Sequence, residues 1–147
     1  MIACLLANNI IREYDNMTIS NMIIQTPKII IVEDDKEINS LITAVCRLNG
    51  YETYMAFSAV KCLEQIEEMH NQVDVVYING IIAADEGAML ISKIKQIDLN
   101  IKILVVANDD SARNIILEYG ADDFLIKPVS AETILGKISM LLLAKNS

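Results

Sequence analysis

Positive charge is scarce in this chain. Twelve Lys and Arg stand against twenty Asp and Glu, for a formal net charge of -8 and a pI near 4.5. A nucleic-acid binder needs a basic footprint, and none is visible. The same balance argues against an acidic partner surface. Cysteine is also sparse. Cys4, Cys46 and Cys62 are odd in number and show no CxxC spacing. Cys46 and Cys62 fall within helical patterns, so they read as reduced core thiols of a cytosolic protein. The one histidine, His70, sits beside Asn71 at the end of a helical pattern and reads as a surface residue. No His/Asp/Ser set, glycine-rich phosphate loop or metal-ligand cluster appears, which points away from an enzyme. Long apolar runs are missing too: none reaches the roughly 18 residues of a membrane helix. The N-terminal MIACLLANN is apolar but has no positive region before it, so it reads as neither a signal peptide nor an anchor. Repeats, low-complexity segments and linkers are absent.

What is present is alternation. The 147 residues are 53% hydrophobic, enough for one domain with a sizeable core. Residues 1–27 carry no clear period and are expected to form a loosely ordered N-terminal extension closed by Pro27. Met17 and Met22 leave room for a later start. The domain is expected over 28–147. Short apolar runs with β-branched weight predict strands at Lys28–Val32, Val73–Ile78 and Lys102–Ala107, with weaker ones at Glu52–Ala56 and Asp123–Ile126. Helical spacing follows each run. The predicted buried stripes are Ile38, Leu41, Ile42 and Val45; Val60, Leu63 and Ile66; Leu90, Ile91, Ile94 and Ile97; Ala112, Ile115, Ile116 and Tyr119; and Ile134, Ile138, Leu141 and Leu142. Ser58 and Ser130 are placed to cap the second and fifth helices. Asn49-Gly50 and Gly120 are placed to end the first and fourth.

Five βα units with right-handed crossovers make an α/β fold, a parallel sheet with helices on both faces. Sites in such sheets lie outside the carboxyl ends of the strands, where the strand order reverses. Asp34, Asp35 and Asn79 are expected to meet there.

Several features then carry a family resemblance over about residues 28–145. They are Glu33-Asp34-Asp35, the loop with Gly87, Gly120-Ala121-Asp122-Asp123-Phe124, and Lys127-Pro128, together with the spacing from Asp35 to Asn79. The chain resembles the receiver domains of two-component response regulators. That resemblance implies a flavodoxin-like, five-stranded parallel sheet in order 2-1-3-4-5 flanked by five helices. It implies Mg²⁺ held between an acidic pair and a phosphoacceptor aspartate, with a lysine and a Ser/Thr hydroxyl binding the phosphoryl oxygens. Asp34 and Asp35 match the acidic pair, and Lys127 the lysine, with a cis Lys127-Pro128 peptide. Phe124 stands at the aromatic switch position. Asn79 falls at the phosphoacceptor. A neutral amide is a poor nucleophile and brings one charge fewer, so Mg²⁺ binding is expected to be weak. The switch hydroxyl is replaced by Val106, or by Val105 if the alignment slips. With no phosphoryl group, Lys127 is expected to pair with Asp34, Asp35 or the Asn79 carbonyl. Ala83 replaces a Pro common in the loop after the acceptor.

The resulting expectation is an atypical, stand-alone cytoplasmic receiver that acts by protein contact without Asp phosphorylation. The rivals are an authentic receiver carrying an Asp-to-Asn change at 79, and a module that holds a metal or small ligand in the acidic pocket. The partner, a protein or a second copy, is expected on a face that uses Leu117, Met140 and Leu143, with Glu118, Lys137 and Lys145 at its rim.

Overall fold

The computed structural model describes residues 26–70, 72–82 and 88–145. The expected N-terminal extension therefore lies outside the described residues, Thr26 and Pro27 excepted. So do Ala83 and Gly87 of the loop after the third strand.

Five strands form one parallel sheet. They are β1 (Lys28–Val32), β2 (Glu52–Ala56), β3 (Val75–Asn79), β4 (Lys102–Ala107) and β5 (Asp123–Ile126). Their order is β2-β1-β3-β4-β5, as the resemblance implied. β1, β3 and β4 are interior strands, and their continuous apolar runs bury on both faces. The register sets Val32 beside Ile78, and Asn79 beside Val106. One layer of core packs Ile30, Val76, Ile78 and Val105 under helices α2 (Ala59–Glu68), α3 (Ala88–Ile97) and α4 (Arg113–Glu118). The other packs Ile29, Ile31, Tyr77 and Leu104 under α1 (Lys36–Leu48) and α5 (Ala131–Lys145). Among the described residues no helix is long and apolar enough to cross a membrane.

The helix faces depart from the predicted stripes, and the departures have causes. On α1 the buried residues are Asn39, Thr43 and Cys46, while Ile38 and Leu41 are exposed. The Asn39 amide donates to the carbonyls of Ile31, Glu33 and Ala56 at 3.0, 3.0 and 3.2 Å. Its own Oδ1 accepts from Thr43 Oγ1 at 3.0 Å. Those carbonyls lie near the carboxyl ends of β1 and β2, and that of Ala56 also accepts from Glu33 N at 3.0 Å. Satisfying buried carbonyls outweighs burying one more Leu, so the helix rolls to bring Asn39 under the sheet. On α2 the Ser58 cap, accepting from Lys61 N at 3.2 Å, sets Ala59, Cys62 and Ile66 inward and leaves Val60 exposed. On α3 Ile97 is exposed, and on the short α4 only Ile116 is buried, with Ile115 and Tyr119 outside. α5 buries Ile134, Ile138 and Leu141 as expected, and Ser130 Oγ accepts from Thr133 N at 3.1 Å. Gly120 stands just past α4 at φ +116, a conformation that L side chains rarely adopt. Cys46 and Cys62 are buried, unpaired thiols, and burial pushes both up, to about 11 and about 12.

Candidate functional site

The carboxyl ends of β1 and β3 bring the candidate residues together. Glu33 follows β1 directly and continues its ladder, donating from N to Ala56 O at 3.0 Å. Its side chain turns inward and is 1% exposed. Oε2 accepts from Asn79 Nδ2 at 2.8 Å and from Asp35 N at 3.2 Å. Oε1 is buried with no hydrogen-bond partner among the described residues. Burial pushes the Glu33 carboxyl above the usual carboxylate range, and the neighbouring Asp34 carboxyl pushes it the same way. The Asn79 amide, the Asp35 N–H and the Lys127 charge pull it back, because each favours the ionised form.

The acidic pair is therefore displaced by one residue from Asp34 and Asp35. The carboxylate facing Asn79 belongs to Glu33, with exposed Asp34 beside it. Asp35 Oδ1 accepts from Glu37 N at 3.0 Å and Ile38 N at 3.1 Å, so it is the N-cap of α1. A carboxylate committed to two orphan amides at a helix start is not turned into the pocket.

Asn79 is 5% exposed at the last position of β3. Its Oδ1 accepts from Ile81 N at 3.3 Å, opening a single helical turn over Gly80–Ile82. Gly80 is required there for space. A Cβ on it would stand 2.4 Å from the Ala107 Cβ and 2.6 Å from its Cα. β3 and β4 thus close to contact at the site.

Two residues at the end of β4 border the site. Val106 is buried in the α1/α5 side of the core, among Tyr77, Leu104 and Ile31. Ala107 is the one that abuts Gly80, and it opens on a shallow depression shared with Asn108, Asp109 and Ser111. The register keeps Val106, the expected switch position, beside Asn79, with Ala107 one residue further on. Neither residue carries a hydroxyl. The nearest one in that depression is Ser111, which donates from Oγ to Asp109 Oδ1 at 2.6 Å and holds the Asp109 carboxyl below its ordinary value.

Lys127 arrives on the far side of the pocket. Its N donates to Ala107 O at 2.7 Å, and the Lys127-Pro128 peptide is cis. No carboxylate of a described residue pairs with its ammonium within 4.0 Å. The expected ion pair with Asp34 or Asp35 is absent there, and the carboxylate its charge acts on is Glu33. Phe124 is buried, with the Arg113 guanidinium 5.0 Å above its ring centroid.

This donor set does not fit a divalent cation of the kind the resemblance implies. Mg²⁺ needs a shell of hard oxygens. Here Asn79 presents an N–H to Glu33, and Asp35 is committed to its helix. No group of three or more His, Cys, Asp or Glu among the described residues could hold a metal.

On the opposite flank, Leu117, Met140 and Leu143 are exposed, as expected, and so are Ile115 and Tyr119. The rim differs. Lys137 pairs with Asp123 at 3.0 Å beside this face, whereas Lys145 pairs with Asp74 at 2.6 Å, at the amino end of β3.

A 2-1-3-4-5 parallel sheet with acidic groups and a lysine at its carboxyl edge defines a receiver-type architecture. The response regulator receiver domain model matches residues 29–139, and the chain belongs to that family, the receiver domain of two-component signalling. The transcriptional regulatory protein PrrA of Mycobacterium tuberculosis is 23% identical over 126 residues, 84% of this chain and 53% of that protein. The transcriptional regulatory protein AruR of Pseudomonas aeruginosa is 26% identical over 120 residues, 79% of this chain and 49% of that protein. The chain thus spans about half the length of these relatives. Among solved structures, a response regulator receiver domain protein (CheY-like) from Methanospirillum hungatei superposes with TM-score 0.75 at 27% identity, covering 83% of this chain and 98% of that one.

Proposed function

We propose that this receiver domain signals by protein contact, without phosphorylation at position 79 and without catalysing a reaction of its own. The observation that carries the reading is the Asn79 amide hydrogen-bonded to buried Glu33 at the end of β3. An acyl phosphate needs a carboxylate oxygen to attack phosphorus, and an amide offers none of comparable reactivity. The absence of a hydroxyl at both Val106 and Ala107 supports the same reading. It also speaks against an otherwise intact receiver blocked only at 79, because a single block would leave the hydroxyl in place. Contact is proposed through α4, β5 and α5, where Leu117, Met140 and Leu143 stand exposed, and a second copy of the chain is the simplest occupant. PrrA and AruR are transcriptional regulatory proteins about twice as long as the segment they share with this chain. The test is incubation with acetyl phosphate followed by intact-mass measurement. The mass should stay unchanged. A labile, stoichiometric phosphoryl adduct mapping to the Asn79 pocket overturns the proposal.

A further inference from the structure

The roll of α1 that brings Asn39 under the sheet has a second result. It leaves apolar side chains of that helix lining a groove against α5 instead of filling the core. The groove has a volume of about 440 Å³. That lies in the range of roughly 300–1,000 Å³ common to small-molecule sites. Leu41 and Ile42 wall it on α1, Ile134 walls it on α5, and Val106 and Tyr77 form its floor. Leu41 is 66% exposed at the lip.

Two side chains in this apolar lining carry strong hydrogen-bonding groups. Lys127 is a cation with no ion pair among the described residues. Tyr77 is 1% exposed, yet none of the hydrogen bonds among the described residues uses its hydroxyl. That hydroxyl is therefore a donor left free in the lining of the groove. Burial pushes that phenol well above its ordinary value, so it stays a neutral donor. An ammonium and a phenol O–H in an apolar groove favour one ligand chemistry: a hydrophobic body with a single anionic acceptor. The chain's net charge of -8 disfavours anions elsewhere on its surface, which makes a site chosen by Lys127 more selective.

We propose that the α1/α5 groove is a binding site for an apolar monocarboxylate. Its hydrophobic part lies among Leu41, Ile42 and Ile134, and its carboxylate is held by Lys127 and Tyr77. The groove shares Lys127 with the Asn79 pocket and is otherwise lined by residues outside it.

The probes are octanoate, 1-octanol and octylammonium, titrated calorimetrically into the full chain. Octanoate should saturate one site and bind more tightly than 1-octanol, with octylammonium weakest. Lys127→Met should weaken octanoate about ten-fold, the worth of one charged hydrogen bond, and leave 1-octanol unchanged. Retained 1-octanol binding shows that the variant is folded with its groove intact. Tyr77→Phe should weaken octanoate several-fold, and Ile42→Trp should remove both ligands. No saturable octanoate binding, equal affinity for octanoate and 1-octanol, or octanoate binding indifferent to Lys127→Met would each overturn the proposal.

Discussion

Asn79→Asp is the most informative single change, because two opposing consequences follow from one contact. In the native protein the Asn79 amide donates 2.8 Å to a buried Glu33 oxygen. Aspartate removes that donor and sets a second carboxyl against the first. A hydrogen bond to a charged group is worth about 1.5–3 kcal/mol, and leaving a buried acceptor unpaired adds to the loss. The expected cost at pH 8 without divalent cations is therefore about 2–4 kcal/mol. The cost should shrink in acid, where a protonated Asp can donate to Glu33 as the amide did. The sign follows from linkage. Glu33 is already raised above 4.5 by burial and by Asp34, so the folded state binds the proton more tightly than the unfolded chain. Such a group stabilises the fold fully below its unfolded value, and that stability is lost as pH rises through the folded value. A second carboxyl at 79 raises the pair further and deepens the loss.

Urea unfolding at pH 5 and pH 8 measures this directly. The gap between variant and native protein should be small at pH 5 and reach its full size at pH 8. The slope between them is bounded by about 1.4 kcal/mol per pH unit per proton. MgCl₂ should then recover stability in the variant and not in the native protein, because the new carboxylate adds the charged oxygen the site lacks. The contact as described is refuted if the variant matches the native midpoint at both pH values. A native protein that gains as much from MgCl₂ as the variant does refutes the assessment of the donor set.

Three further outcomes are expected. Asn39→Ala leaves the carbonyls of Ile31, Glu33 and Ala56 without their shared donor and should cost about 3 kcal/mol or more, read as a lowered urea midpoint; a loss under about 1 kcal/mol would show that water replaces the amide. Asp35→Ala should cost about 1 kcal/mol as a lost N-cap, with no change in any Mg²⁺ affinity measured on the Asn79→Asp background, whereas Glu33→Gln on that background should abolish it. Met140→Lys with Leu143→Lys should leave the melting temperature within a degree or two and abolish self-association in sedimentation; an unfolded double variant would place these side chains in the core instead.

The strands were legible because a buried parallel strand writes itself as a continuous apolar run. All five strands lie where those runs stand, with β3 beginning at Val75 and ending at Asn79. The one-residue shift of the acidic pair has a local origin. After β1 three acidic residues are adjacent, and composition alone does not say which one turns inward. The family spacing to Asn79 points to Asp35. A helix following immediately needs an N-cap, and that need claims Asp35 and leaves the inward position to Glu33. At the end of β4 the residues Val105, Val106 and Ala107 all lack a hydroxyl, so no side chain marked the register. The register nevertheless sets Val106 beside Asn79, where the family pattern places it, while the close approach of Gly80 to Ala107 is not visible along either strand alone.

The helix faces show a subtler limit. Period 3.6 identified Ile38, Leu41, Ile42 and Val45 as one stripe, and they do form one. The period does not say where that stripe points. Roll is decided by the side chain with the most to lose, and on α1 that is Asn39, the shared donor for three carbonyls at the end of the sheet. A polar residue within an amphipathic helix, just after a strand end, is thus a signal that the apolar stripe beside it is displaced. The displaced stripe then needs another apolar neighbour, and on this chain it meets the side of α5 that carries Ile134. The same amide that closes the sheet therefore opens the α1/α5 groove, and Asn39→Ala should disturb octanoate binding as well as stability, while Asp35→Ala, which leaves the roll in place, should disturb stability alone.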